Sequence, residues 1–156
     1  MLDLENYSKY VDRIDTALRS CAFASDIREH RYVRSEQLQR LAFEVQFIDG
    51  SRLIVTELFV GAPPANFLTN ARKKIAYQYM EEQGQLIFRL DCHEMSVPLT
   101  APLHLDLPQR KHIHDGDPLL KGVSVAEADF FTVYKWICGR LALQPLPWEE
   151  DADAKA

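Results

Sequence analysis

Residues 85–93 read QLIFRLDCH, a short β-forming run with an unusual polar edge. Taken as a strand, its period of two sets Leu86, Phe88, Leu90 and Cys92 on one face and Ile87, Arg89, Asp91 and His93 on the other. The first face is core. The second begins apolar and then offers a cation, a carboxylate and an imidazole in succession, which is costly on a central strand unless those groups are paired or meet solvent.

Working outward toward the N-terminus, EEQGQ reads as a turn, and before it KKIAYQYM alternates Ile75, Tyr77 and Tyr79 against Lys74, Ala76 and Gln78. Further back, Leu41, Phe43, Val45 and Phe47 alternate with polar residues, Asp49-Gly50 supplies a two-residue hairpin turn, and RLIVTELFV resumes the sheet. That turn predicts Val45 opposite Ile54 and Leu41 opposite Leu58. GAPPANFLTN is a loop, because Pro63 and Pro64 cannot join a ladder. Ile27 to Val33 is charged and alternating, and reads as an edge strand blunted by Arg28, Glu29, Arg31 and Arg34.

Helices are predicted at both ends. Asp3 caps the first, with Tyr7, Tyr10, Val11, Ile14, Ala17, Leu18 and Cys21 on its apolar side. Ser124 to Glu127 has the form of a capping box for the last, whose inward stripe is Ala126, Phe130, Val133, Tyr134, Ile137 and Leu141. Trp136 falls off that stripe. An indole there predicts either a contact with a partner protein or cover by the residues that follow. The expected fold is α+β: an antiparallel meander of about five to six strands, with the N-terminal and C-terminal helices packed on one face. Residues 1–148 form a single domain in this reading, and 149–156, with four acids and one lysine, form an acidic disordered tail.

Composition limits the function. The chain has 156 residues, is 47% hydrophobic and 26% charged, and carries a formal charge of −5, which argues against a general nucleic-acid-binding surface but not against a local basic patch. No apolar run reaches membrane-spanning length and the start lacks a signal-peptide pattern, so a cytoplasmic protein with no membrane partner is expected. Cys21, Cys92 and Cys138 are far apart and form no C-x-x-C pair, which predicts reduced thiols. Dinucleotide, P-loop, H-E-x-x-H and G-x-S-x-G motifs are absent.

What remains is a cluster. Downstream of the central strand lies LHLDLPQRKHIHDGD, in which His104 and Asp106 are two apart, as are Arg110, His112 and His114. HLDL and RKHIH read as short strands. Imidazoles titrate near neutrality and can share proton removal and donation, while Arg89, Arg110 and Lys111 can hold a phosphate. That chemistry suits a metal-independent ribonuclease, with no cofactor, and gives catalytic candidates His112, Lys111, Arg89, Asp91 and His93. Arg110, His104, His114 and Tyr77 are the substrate-binding candidates. Two alternatives stand beside it. A His-rich metal site is one, since four of the five histidines fall within 22 residues, although Arg110 and Lys111 beside His112 would repel a cation. A non-catalytic protein-binding module, with Arg89 and Asp91 as a plain ion pair and Tyr77 and Tyr79 in the core, is the other.

The runs FIDGSRLIVTEL, IAYQYMEEQGQLIFRLD and Pro108 followed by Lys111-His112-Ile113 resemble the TumE-like family, small bacterial proteins classed as toxins of type II toxin–antitoxin modules. The resemblance implies a toxin with a cognate antitoxin as partner, and carries Arg89, Asp91, Lys111 and His112 over as functional positions, with Tyr77 beside them. The chain departs from the family at Cys92-His93-Glu94-Met95, where an Asn and a His-rich run are usual, and at Gln109-Arg110, where paired histidines commonly precede Lys-His. A helix-turn-helix antitoxin held partly by Trp136 is the expected partner, with RNA as target and a second copy of the chain as the weaker alternative.

Overall fold

A computed structural model describes residues 4–34, 38–60, 72–92, 103–126 and 128–149. The expected cap Asp3, the Pro63-Pro64 loop, His93, Glu127 and the acidic residues from Glu150 onward lie outside this set. The chain runs α1 (Leu4–Arg19), β1 (Ala24–Arg34), β2 (Leu38–Phe47), β3 (Arg52–Val60), β4 (Arg72–Met80), β5 (Leu86–Asp91), β6 (His104–Asp106) and α2 (Phe130–Leu141), with one 3-10 turn at Pro118–Leu120. The strands form one antiparallel sheet in sequence order, β1 to β6. No described helix is long and apolar enough to cross a membrane.

The predicted α+β meander is therefore the observed fold. Tyr10, Ile14 and Leu18, four residues apart along α1, and Phe130, Val133 and Ile137 of α2 are all buried against one side of the sheet. Burying each aliphatic side chain contributes about 1.5–3 kcal/mol. From the sheet come Phe43, Val45, Phe47, Leu53, Val55, Ile75, Tyr79, Phe88 and Leu90, all buried. The edge-to-face contact of Phe43 with Phe130 at 5.6 Å joins sheet to helix, and that of Phe47 with Tyr79 at 6.0 Å packs the sheet face itself.

One register differs from expectation. Val45 stands opposite Leu53 and Leu41 opposite Glu57, one residue away from the predicted pairing. The hairpin loop has three residues, not two: Phe47 N–H donates to the Ser51 carbonyl at 2.8 Å, Gly50 N–H to Phe47 at 3.0 Å, and Gly50 sits at φ 86°. A type I turn closed by a left-handed glycine accounts for this. Because side chains alternate, the single-residue slip turns the whole of β3 over. Leu53, Val55 and Glu57 face the helices, and Glu57 becomes a fully buried carboxylate.

Asp49 fixes the turn. Its carboxylate accepts from Ser51 N and Oγ and lies 3.2 Å from the Arg140 guanidinium. Burial alone would raise this carboxyl, but those bonds outweigh it and hold it below the ordinary range. With the folded pKa below the unfolded one, the contribution is complete at neutral pH and is lost as pH falls below about 4 and on through the folded value. Asp49→Asn should accordingly lower Tm at neutral pH, by an amount that shrinks as pH falls below about 4. A constant difference across thermal melts over that range would sink this account.

The last helix starts later than its sequence suggested. Ser124 Oγ and the backbone N–H of Val125 donate to Asp115, at 2.7 Å each, so that stretch caps nothing. Hydrogen bonding holds the Asp115 carboxyl low against the opposing effect of burial. Asp129 is the N-cap instead, accepting from Thr132 N at 3.0 Å while Thr132 Oγ1 accepts from Asp129 N at 3.4 Å. Ala126 lies before the helix. RKHIH likewise forms no strand; only Ile113 bridges to Leu105.

Trp136 meets the second of its two readings. It is half-buried, with ring centroids 6.1 Å from Phe88 and 5.5 Å from Trp148. Trp148 is buried and packs on Phe88 at 5.1 Å. The chain's own C-terminal segment thus covers part of the indole.

Candidate functional site

The register at the β5–β6 end of the sheet decides what shares a surface. Arg89 stands opposite Asp106, Leu90 opposite Leu105 and Asp91 opposite His104. Leu105 then exchanges two backbone hydrogen bonds of 2.8 Å with Ile113. Leu90, Leu105 and Ile113 are buried on the helix side. Alternation sends their neighbours to the opposite face, so Arg89, Asp91, His104, Asp106, His112 and His114 gather there from three adjacent segments.

Two rows result. In one, Asp91 Oδ1 lies 2.7 Å from His104 Nε2, and the His104 ring is 5.8 Å from that of His114. His104 is only 2% exposed, and both contacting atoms are shut off from solvent, meeting as juxtaposed polar atoms rather than along a straight hydrogen bond. In the other row, the His112 backbone N–H donates to Asp106 Oδ1 at 2.7 Å, with Nδ1 of the same ring 3.8 Å from that oxygen. The His112 side chain is 54% exposed. The rings of His104 and His112, 5.0 Å apart, join the two rows.

Arg89 is anchored across the sheet. Its Nε donates to Asp91 at 2.8 Å and its Nη1 to Gln78 at 2.6 Å, which occupies two of its five donors. Gln78, its partner across β4 and β5, had no signal in the sequence beyond lying on the outer face. Backbone bonds between Leu107 and Arg110 make Pro108-Gln109 a tight turn. Lys111, just after it, is exposed.

His112 carries φ 58°, in the left-handed region. Histidine is among the side chains that enter it more often than most, yet it still costs about 1–2 kcal/mol. That conformation turns the His112 N–H onto Asp106, and strain of this kind collects at functional sites.

Two expected members are elsewhere. Tyr77 is fully buried and donates its hydroxyl to Glu57, in the core beneath α1, so its ring is not presented to a substrate. Arg110 is drawn off by a two-pronged ion pair with Asp117, whose carboxylate also accepts from Leu119 N at 2.9 Å. His93, the remaining candidate, is outside the described residues. Asp106 is the residue whose importance the sequence understated: it organises His112, and its only signal was the spacing of two from His104.

Chemically, the face offers a solvent-accessible imidazole set against a carboxylate (His112 and Asp106), a second exposed imidazole (His114), a buried one between them (His104), and two cationic side chains. His104, Asp106 and His112 also place ligand atoms within 4.8 Å of one another, close enough for a metal ion to draw them together. A family model described as toxin TumE matches residues 14–139. No curated protein and no solved structure matches the chain.

Proposed function

Because the chain belongs to the TumE toxin family, with an antitoxin as its implied partner, we propose that it acts on RNA as an endoribonuclease and that the face around His112 is its active site. The observation that supports this is the pairing of an exposed imidazole with the Asp106 carboxylate, beside Lys111 and Arg89. In the reaction, His112 accepts the proton of a ribose 2′-hydroxyl, whose oxygen attacks the adjacent phosphorus. The 5′-oxygen leaves and takes a proton from a second acid, a role we give to His114, which is exposed and whose ring lies 5.8 Å from that of His104. Lys111 and the remaining donors of Arg89 hold the phosphate and the charge it gains. Asp106 orients the His112 ring, and Asp91 orients His104 beneath it. The products are a 2′,3′-cyclic phosphate and a 5′-hydroxyl end. An RNA target would place this action in the cytoplasm.

The partner in this reading is an adjacent-gene antitoxin of the helix-turn-helix class, whose basic surface the acidic C-terminal residues would attract at low salt. Expression in a bacterial host tests the scheme. Growth arrest, relieved by co-expressing the neighbouring gene, with cellular RNA fragments bearing cyclic phosphate ends, is the expected result. Arrest with intact RNA would remove the nuclease reading, and uninterrupted growth would favour a binding module instead.

A further inference from the structure

His104 and Asp106 lie two apart on β6, and the Leu105–Ile113 bridge sets His112 beside Asp106. We propose that these three side chains form a binding site for one divalent transition-metal cation of the zinc class. Their ligand atoms all fall within 4.8 Å of one another. Metal–ligand bonds of about 2.0–2.2 Å in tetrahedral geometry separate ligand atoms by roughly 3.5 Å, so a small rotation of the exposed His112 side chain toward the buried His104 and the largely covered Asp106 closes the set. Two imidazoles and one carboxylate suit zinc, nickel or copper, whereas magnesium and calcium take oxygen ligands.

Three surroundings support the site independently of its ligands. Asp91 Oδ1 lies 2.7 Å from His104 Nε2, within reach of the ring nitrogen that an outer-shell carboxylate holds when the other nitrogen binds a metal. The repulsion that the sequence led one to expect from Arg110 is absent, because Asp117 holds that guanidinium in a two-pronged pair. Arg89 is neutralised by Asp91 in the same way, which leaves the Asp106 charge to meet the ion and Lys111 to temper its affinity. Finally, the left-handed backbone at His112 fixes that residue over Asp106 before any ion arrives, so little ordering remains to be done on binding.

One consequence rests on the nuclease reading above. A ring nitrogen whose lone pair is given to a metal cannot accept a proton, so the bound ion would silence His112 as a base. Zinc and cleavage would then exclude each other.

Zinc chloride titrated into tag-free, EDTA-stripped protein, followed by calorimetry and by the visible absorption of cobalt in its place, decides the matter. One ion per chain is expected. Asp91→Asn should weaken binding by about 10- to 100-fold, the usual effect of losing an outer-shell partner, and Asp106→Asn and His112→Asn by more, with circular dichroism confirming that each is folded. Cys138→Ser should bind as the parent does, since Cys21 and Cys138, with sulfurs 3.9 Å apart, are the competing zinc ligands. No binding, loss of binding in Cys138→Ser, or parental affinity in both His112→Asn and Asp106→Asn would overturn the site. RNA cleavage that rises with EDTA and falls with zinc supports the exclusion, and cleavage that EDTA abolishes overturns it while leaving the site standing.

Discussion

Glu57→Ala should destabilise the protein by about 3–5 kcal/mol, the cost of two buried hydroxyls losing their acceptor together with the cavity left behind. Glu57 is 0% exposed on the helix-facing side of β3. It accepts from the Tyr10 hydroxyl on α1 at 2.8 and 2.7 Å, and from the Tyr77 hydroxyl on β4. Truncation leaves two buried phenols without that acceptor, at about 1–3 kcal/mol each, and a cavity besides. Glu57→Gln keeps an acceptor and should lose less. The triple change of Glu57→Leu with Tyr10→Phe and Tyr77→Phe removes donors and acceptor together and should recover much of the loss, because a buried polar network can often be replaced by apolar groups of similar shape. Urea unfolding measures all three. A loss below about 1 kcal/mol in Glu57→Ala would mean that water reaches the carboxylate and that α1 is not tied to the sheet there.

Nothing in the residue pattern foretold that carboxylate, and the reason is specific. In RLIVTELFV both alternating sets are mostly apolar, Leu53 and Val55 on one and Ile54 and Leu58 on the other, so period two identifies a strand without fixing which face turns inward. Only the loop length decides. Asp49-Gly50 fits a two-residue turn as well as the final positions of a three-residue one, and the bond from Phe47 to Ser51 selects the latter. Strands β2 to β5 and their order were legible because Gly, Pro and alternation mark them strongly, and the two helices because their apolar residues recur at helical spacing. The phase of β5 was legible too, since Phe88 and Leu90 contrast with Arg89 and Asp91.

The site was legible in its parts but not in its assembly. Spacing of two put Arg89 with Asp91, His104 with Asp106 and His112 with His114. Bringing the three pairs side by side requires β6 to join β5 across an intervening stretch with no sequence period, and requires Ile113 to bridge Leu105. Capture of Arg110 by Asp117 and of Ser124 by Asp115 depends on the path of the 107–126 segment, where side chain to backbone bonds replace regular structure. The same path brings the C-terminus back: Lys121 Nζ donates to the Glu149 carbonyl at 2.9 Å, and Trp148 thereby covers Trp136, which a helical wheel alone leaves outside.

The second large effect is expected at His112. If its imidazole transfers the proton, His112→Asn should slow RNA cleavage by about 10²- to 10⁴-fold, the range for loss of a positioned general acid or base. Asparagine is the informative replacement, because it tolerates the left-handed backbone at φ 58° that alanine would enter less readily. The N–H bond to Asp106 belongs to the backbone and survives the change, and the side chain is more than half exposed, so stability should move by no more than about 0.5 kcal/mol. His104→Asn offers the contrast. That ring is buried against Asp91, and its loss should lower stability as well as rate. Asp106→Asn keeps the bond to the His112 backbone but withdraws the charge that steadies a protonated ring, and should fall between parent and His112→Asn in rate. Single-turnover cleavage of a defined RNA, read beside urea melts of the same samples, separates these cases. A folded His112→Asn protein that cleaves at the parental rate would take His112 out of the chemistry, and would move the search for the base to His114, the other exposed imidazole among the described residues of this face.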